Sequence, residues 1–263
     1  MDSSKSESEF PIFSFNYTSL TMPEDYCEAN SSGPTLYAKD SQRKVREISI
    51  PLLFNQYDDS VSETFYDPLS DEIVSKERTT TSNLEEILGE RNSTKREFDI
   101  DSFYSCMAQR LLSGDTDNHE SQFAVDEGGR FYTFDFEYAG EPLNEVFANG
   151  ISWTRSTLYQ LNGEQSLSAS DRETERENIG DELEAKGRDI AQELNIQKFE
   201  DALQEHPQIR YDRENREVAN SDFDIGQLIS NIEEMRSENP KLPRKPDWYW
   251  ENRKEELPDN RTK

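Results

Sequence analysis

Cysteine and histidine are scarce in this chain. Two of each occur among 263 residues: Cys27 and Cys106, His119 and His206. Such spacing makes neither a disulfide framework nor a cysteine–histidine metal centre. Both thiols are therefore expected to be free, in a reducing compartment. Apolar residues are sparse as well, at 32% of the chain with a mean hydropathy of -1.00. No run approaches the roughly 18 consecutive apolar residues that a membrane helix needs. Residues 1–9 are polar and acidic, with no apolar segment behind a basic start, so they read as a disordered leader rather than a secretory signal. A cytoplasmic location is expected. Positive charge is the third shortage: 29 basic residues face 56 acidic ones, for a net charge of -27. That balance repels nucleic acid and anionic membrane, so neither is an expected partner.

Arginine outnumbers lysine among the few basic residues. An acidic, lysine-poor surface is what a salt-rich cytoplasm tolerates, because at molar salt the Debye length falls to about 3 Å and self-repulsion largely vanishes. Two other readings of the charge stay open: an ordinary acidic protein with disordered acidic ends, and an acidic decoy for a DNA-binding protein. What the chain has in quantity is aromatic residues, 14 Phe, 11 Tyr and 3 Trp, enough to build a core despite the low hydrophobic fraction.

The order of elements predicts an α+β protein. Residues 10–82 read as a small β-rich part, with strand candidates at 35–39, 62–66 and 72–75. Between them, 41–55 reads as a short helix carrying Glu47 and then a strand-like run, 48–54. Ser82 with Glu85 makes a capping box ahead of Leu84, Ile87 and Leu88. A larger, mainly helical part spans 83–240. Its first long helix is expected over 101–112, where Phe103, Met107 and Leu111 recur on one face. From 123 to 138 the period is β, broken by Asp126-Glu-Gly-Gly129, strong hairpin chemistry. Beyond Gly150 the pattern is helical, with stripes at Ile179, Leu183, Ile190 and Leu194. A second stripe, Ile225 to Met235, is capped by Ser221 or Asp222 and stopped by Pro240. His206, before Pro207, reads as a surface helix end. Residues 241–263 read as a charged tail that either docks through Trp248 and Trp250 onto the protein's own surface or is flexible.

The chemistry concentrates in 113–140, where a helix feeds a polar loop and a tight hairpin ends in an aspartate between phenylalanines. Phosphoryl transfer needs such a layout: one carboxylate at the acceptor hydroxyl, and another with a second oxygen ligand on the metal. Asp117 precedes Gln122 by five positions, the interval between base and metal-binding residue in protein kinases, and Asp135 by eighteen. The bland reading of Asp115, Asp117 and Glu120 is a solvated acidic loop or a casual cation site.

On these residues the segment resembles the catalytic core of the protein-kinase-like superfamily. Asp117-Asn-His119 with Gln122 resembles the Asp-Arg-His-x-x-Asn loop of phosphatidylinositol kinases, and HipA-type serine kinases are further relatives of that kind. Phe134-Asp-Phe-Glu-Tyr-Ala-Gly140 is similar to a segment of choline and ethanolamine kinases. The resemblance covers about 30 residues well. It implies a two-lobed kinase-like fold, with a reduced β-rich N-lobe and a mainly helical C-lobe carrying the catalytic hairpin. By it Asp117 is the catalytic base, His119 supports the loop, and Gln122 and Asp135 hold magnesium. Lys39 then contacts the ATP phosphates, Glu47 is its ion-pair partner, and the segment 73–79 with Glu77 is the adenine hinge. The implied activity is ATP- and magnesium-dependent phosphotransfer to a hydroxyl of a protein or small molecule. Two departures stand against it: Gln122 where the family has asparagine, and the lack of G-x-G-x-x-G, with Gly33 alone before Lys39. They leave open a pseudokinase acting as a binding scaffold, and a non-kinase acidic interaction protein.

Overall fold

The computed structural model describes residues 36–39, 44–62, 64–67, 72–76, 81–89, 97–136, 138–162, 169–206 and 209–245. The leader, Cys27, Gly33, Glu77, Glu137 and the tryptophans of the tail lie outside them. The chain is α+β, mostly helical with small antiparallel sheets.

Strand β1 (Leu36–Lys39) leads to helix α1 (Lys44–Phe54), and β2 (Thr64–Asp67) and β3 (Glu72–Lys76) follow. These strands form one antiparallel sheet in the order β1-β3-β2, with Lys39 opposite Ile73. The run 48–54, expected as a strand, is helical. Ile48, Ser49, Ile50, Leu53 and Phe54 are all buried. A segment covered on every side has no polar face, so its period does not separate helix from strand. Pro51 lies inside this helix, yet the ladder continues past it, with Asn55 N donating to Pro51 O at 3.0 Å.

A second sheet, β4-β5-β6, joins β4 (Thr81–Asn83) to the expected hairpin of β5 (Phe123–Asp126) and β6 (Phe131–Thr133). At the turn, Asp126 N donates to Arg130 O at 3.0 Å. Gly129 has φ +84°, and a Cβ there would sit 2.1 Å from the Glu97 carbonyl oxygen, so only glycine fits. Val61 adds a short parallel bridge to Thr133 at the edge of this sheet. The strand expected to reach residue 138 stops at Thr133, because Asp135 turns the chain with φ +62°.

The remaining elements are α2 (Leu84–Gly89), α3 (Ile100–Ser113), α4 (Leu143–Asn162), α5 (Ala169–Glu193), α6 (Ile196–Glu205), the ribbon of β7 (Tyr211–Asp212) and β8 (Glu217–Val218), and α7 (Ile225–Arg236). Three of the expected details shift. The cap of α2 is Asn83, whose Oδ1 accepts from Glu85 N at 2.8 Å, rather than Ser82. The cap of α7 is Asp224, and α4 begins well before Gly150.

Helix α3 runs through the centre, packed against α4, α5, α7 and β6. Its stripe of Phe103, Cys106, Met107 and Leu111 is completely buried, and burial pushes the Cys106 thiol up, leaving it inert. Phe103 contacts Phe123, Phe131 and Trp153 in a tilted aromatic cluster. On α5 the buried stripe is Ile179, Leu183 and Ile190, and most of the other positions are charged. Arginines staple the C-terminal segment onto this helix: Arg188 donates to Ser237 O at 2.6 Å, and Arg236 to Ala191 O at 2.7 Å and Leu194 O at 2.6 Å. Each uses the forked donor geometry that lysine lacks. His206, expected at the surface, is buried at the end of α6, and burial lowers its pKa to about 4. Among the described residues no helix is long and apolar enough to cross a membrane.

Candidate functional site around Arg110

Helix α3 ends where it meets two other parts of the chain. Gly114 caps it with φ +72°, and a Cβ there would lie 2.0 Å from Glu141 O. Gly140 N donates to Ser113 O and Glu141 N to Gly114 O, both at 3.0 Å, so the chain leaving the hairpin is laid against the helix end. From α7, buried Asn231 closes the junction. Its Nδ2 donates to Glu141 O at 2.9 Å and Leu112 O at 3.3 Å. Its Oδ1 accepts from Leu143 N and from Gln227 Nε2, each at 2.9 Å.

Sequence reasoning overlooked the centre of the site, Arg110, which is 0% exposed and, among the described residues, the largest fully buried side chain. Its Nη2 donates to Asp115 Oδ2 at 2.7 Å, to the Asp117 carbonyl at 2.6 Å and to Gln122 Oε1 at 2.6 Å. Its Nη1 reaches the Phe134 carbonyl at 3.0 Å and Thr133 Oγ1 at 3.1 Å. Both terminal nitrogens lie 3.4 Å from the Asp135 carbonyl, and Nε donates to Asn118 Oδ1 at 3.3 Å. The rings of Phe136 and Phe123 flank the guanidinium, with centroids at 5.1 and 5.5 Å. One planar cation thus binds both the loop after α3 and the far end of the hairpin.

Burial pulls the guanidinium below its usual pKa, opposed by Asp115 and then by Asp135 and Asp117, and an arginine stays charged under such a shift. Burial pushes the Asp115 carboxyl up to about 6, with Arg110 and the amide of Asp117 pulling the other way. Asp115 is therefore no part of a solvated acidic loop. It is 0% exposed, paired with Arg110, and its Oδ1 accepts from Asp117 N at 3.0 Å.

The predicted site residues fall as follows. Asp117 is half-buried, and its Oδ2 accepts from Gln122 Nε2 at 3.0 Å. His119 is exposed and caps the short turn Glu120–Gln122: its Nδ1 accepts from Ser121 N at 3.2 Å, and its own N–H goes to Gln122 Oε1 at 3.1 Å. With Nδ1 accepting, the neutral ring carries its proton on Nε2. The Gln122 amide oxygen thus has two donors, Arg110 and His119, and its amide nitrogen faces Asp117. Asp135 is half-buried, in a left-handed conformation that costs a non-glycine residue roughly 1–3 kcal/mol. Strain of this kind persists where the surroundings hold it, and here Arg110 binds both its carbonyl and that of the residue before. Lys39 ends β1, but its side chain lies outside what the structure describes. Glu47 is 4% exposed on the first turn of α1. Among the described residues no group of three or more His, Cys, Asp or Glu side chains converges as a metal-binding set.

The class the fold defines is an α+β protein with a helix-fed loop and a hairpin closed on one buried arginine. No family model matches the chain, and no curated protein sequence does. It is similar to the crystal structure of the N-terminal 618-residue fragment of LepB from Legionella pneumophila, at 13% sequence identity and a TM-score of 0.48. That likeness covers 80% of this chain and 46% of the fragment, so the chain spans about half its length.

Proposed function

We propose that this chain is an ATP- and magnesium-dependent phosphotransferase that moves the terminal phosphoryl group of ATP to a hydroxyl of a protein or small molecule. The observation that supports it most is the shared guanidinium: the main-chain carbonyls of Asp117 and Asp135 lie 2.6 and 3.4 Å from the same nitrogen of Arg110, so the backbones that carry the loop aspartate and the hairpin aspartate are near each other. Phosphoryl transfer asks little covalent chemistry of a protein and much positioning. Asp117 orients the acceptor hydroxyl and takes its proton, with one of its oxygens held by Gln122. Lys39 contacts the phosphates, with Glu47 as its counter-charge and Glu77 on the adenine side. A strand-borne lysine followed by a helix-borne glutamate is the order this chemistry uses in protein kinases.

Magnesium needs only one or two carboxylates besides the substrate phosphates, and all its ligands are hard oxygens. On this reading the carboxylate is that of half-buried Asp135, whose charge also acts on Arg110. Asp135 would hold the ion, with Gln122 once its amide oxygen is freed. Bound there, magnesium supplies charge neutralisation of the phosphates.

The same glutamine supports a second reading, a catalytically weak scaffold of kinase type. A carbonyl oxygen has two lone pairs, and both of those on Gln122 are engaged, by Arg110 and by His119. Turnover of radiolabelled ATP in high salt, in the parent and in Asp117→Asn, separates the two. An active enzyme loses on the order of a hundredfold or more in the variant. A scaffold shows a thermal shift with Mg-ATP but no turnover. A chain with neither is no nucleotide-binding protein, and the reading of an acidic interaction protein replaces both.

A further inference from the structure

We propose that Arg110 is the positioning residue of this site: a single buried guanidinium, bonded to both segments, sets the distance between the Asp117 loop and the Asp135 turn. The kinetic consequence rests on the phosphotransfer reading; the geometric one does not.

Backbone bonds hold the outer ends of the two segments, from Gly140 N to Ser113 O and from Glu141 N to Gly114 O, both at 3.0 Å. Phe134 N donates to Gln122 O at 3.1 Å and Thr133 Oγ1 reaches the same carbonyl at 3.4 Å, which ties the hairpin to the end of the turn but not to residues 115–118. Across that gap run the bonds of Arg110, to Asp117 and Asn118 on one side and to Thr133, Phe134 and Asp135 on the other. The guanidinium is planar and cannot slide: Phe123 and Phe136 flank it, and Asp115 fixes one edge. A rigid fork of five N–H donors specifies the relative placement of all its acceptors at once, which a lysine ammonium cannot do. Gln122 is coupled to the same device, since one of its amide donors holds Asp117 while its oxygen is held by Arg110. Arg110 therefore acts on Asp117 by three routes: directly through the carbonyl, through Asp115 and through Gln122.

The test uses the full chain with Arg110→Met and Asp115→Asn together, which removes the buried charge and its partner at once while keeping an acceptor for the amide of Asp117. Hydrogen exchange is read on segments 115–122 and 133–136. Exchange at least tenfold faster in both, with α4 and α5 unchanged, is the expected result. In turnover assays kcat should fall about a hundredfold, as a misplacement near 1 Å costs, while the KM for ATP stays within about threefold. Arg110→Lys, which keeps the charge but not the fork, should lie between the parent and the double variant in both readouts. A folded double variant with parental exchange in both segments overturns the proposal. If the double variant does not fold, parental exchange in Arg110→Lys overturns it equally. If the parent itself turns over no ATP, the phosphotransfer reading falls, and the exchange measurement alone decides the role of Arg110.

Discussion

Two arginine–carboxylate clusters in this molecule use the same chemistry in different surroundings. Arg110 and Asp115 meet at 2.7 Å with both side chains 0% exposed. In the second cluster Arg213 and Arg216 gather around Glu200, with Asp201 and Glu233 beside them, and the arginines are 32% and 39% exposed. Distance alone does not rank the clusters, because Arg213 also approaches Asp201 to 2.5 Å. Surroundings do. The same pair of charges at 4 Å interacts by about 1 kcal/mol in water and about 4 kcal/mol at the effective dielectric of a protein surface, and water also lets exposed partners exchange. The inner cluster therefore fixes geometry, while the outer one decorates it. Truncating Arg110 alone sharpens the contrast most. Arg110→Ala strands the buried Asp115 carboxylate and should cost about 3–5 kcal/mol in urea unfolding. The paired Arg110→Met, Asp115→Asn change should cost far less, since both charges leave together. Equal losses in the two variants would mean that packing, not charge, makes Arg110 indispensable.

His206 extends the comparison to a titratable group that the fold keeps neutral. Its folded pKa, about 4, lies below the ordinary value near 6.5, because burial disfavours the imidazolium. Between those values the unfolded chain binds the extra proton. The stability this group contributes is therefore complete above pH 6.5 and is lost as pH falls towards 4, by about 3 kcal/mol in all. His206→Gln should remove that part of the acid slope, seen as a difference between parent and variant in unfolding at pH 6.5 and 4.5. Parallel slopes would show that the ring is hydrated in solution.

Part of this was legible in the sequence. The helix over 101–112, the hairpin at 126–129 and the α7 stripe were all signalled by period and turn chemistry, which are local. Asp117 and Asp135 were legible as candidates by spacing, but not what joins them. Arg110 sits on the apolar face of α3, one heptad after Phe103, and an arginine there reads as a solvated rim residue. Its partners come from 115 to 135 and exist only once the hairpin has folded back. The misread run 48–54 failed for the opposite reason: burial on all sides erased the period. A buried arginine would have been detectable from one pattern alone, a charged residue on an apolar stripe with an aspartate just past the helix end.

Asn231 probes burial without charge. Its amide makes four hydrogen bonds that join the end of α3, the start of α4 and α7. Asn231→Leu should leave the carbonyl of Glu141 and the amide of Leu143 without their partner, at a cost of about 1–3 kcal/mol. That is less than the loss for Arg110→Ala, because no charge is orphaned. Loss of Mg-ATP binding without loss of stability would instead place Asn231 in the site's function rather than its scaffold.

The smallest effect is expected at Arg213, and salt is what separates it from Arg110. The chain carries a net charge of -27, so removing any cation adds to its self-repulsion. Arg213→Ala should therefore lower the melting temperature at low salt through two screened terms, the local pairs with Asp201 and Glu200 and the overall repulsion. At 1 M salt the Debye length is about 3 Å, and both terms fade. The inner pair touches no solvent, so counter-ions cannot take its place, and the loss in Arg110→Ala should persist at the same ionic strength. Melting curves of both variants at 0.1 and 1 M salt give the comparison directly. If the Arg110→Ala deficit also vanished at high salt, ions would have to reach Asp115, and the closed, water-free seat inferred for the guanidinium would be wrong.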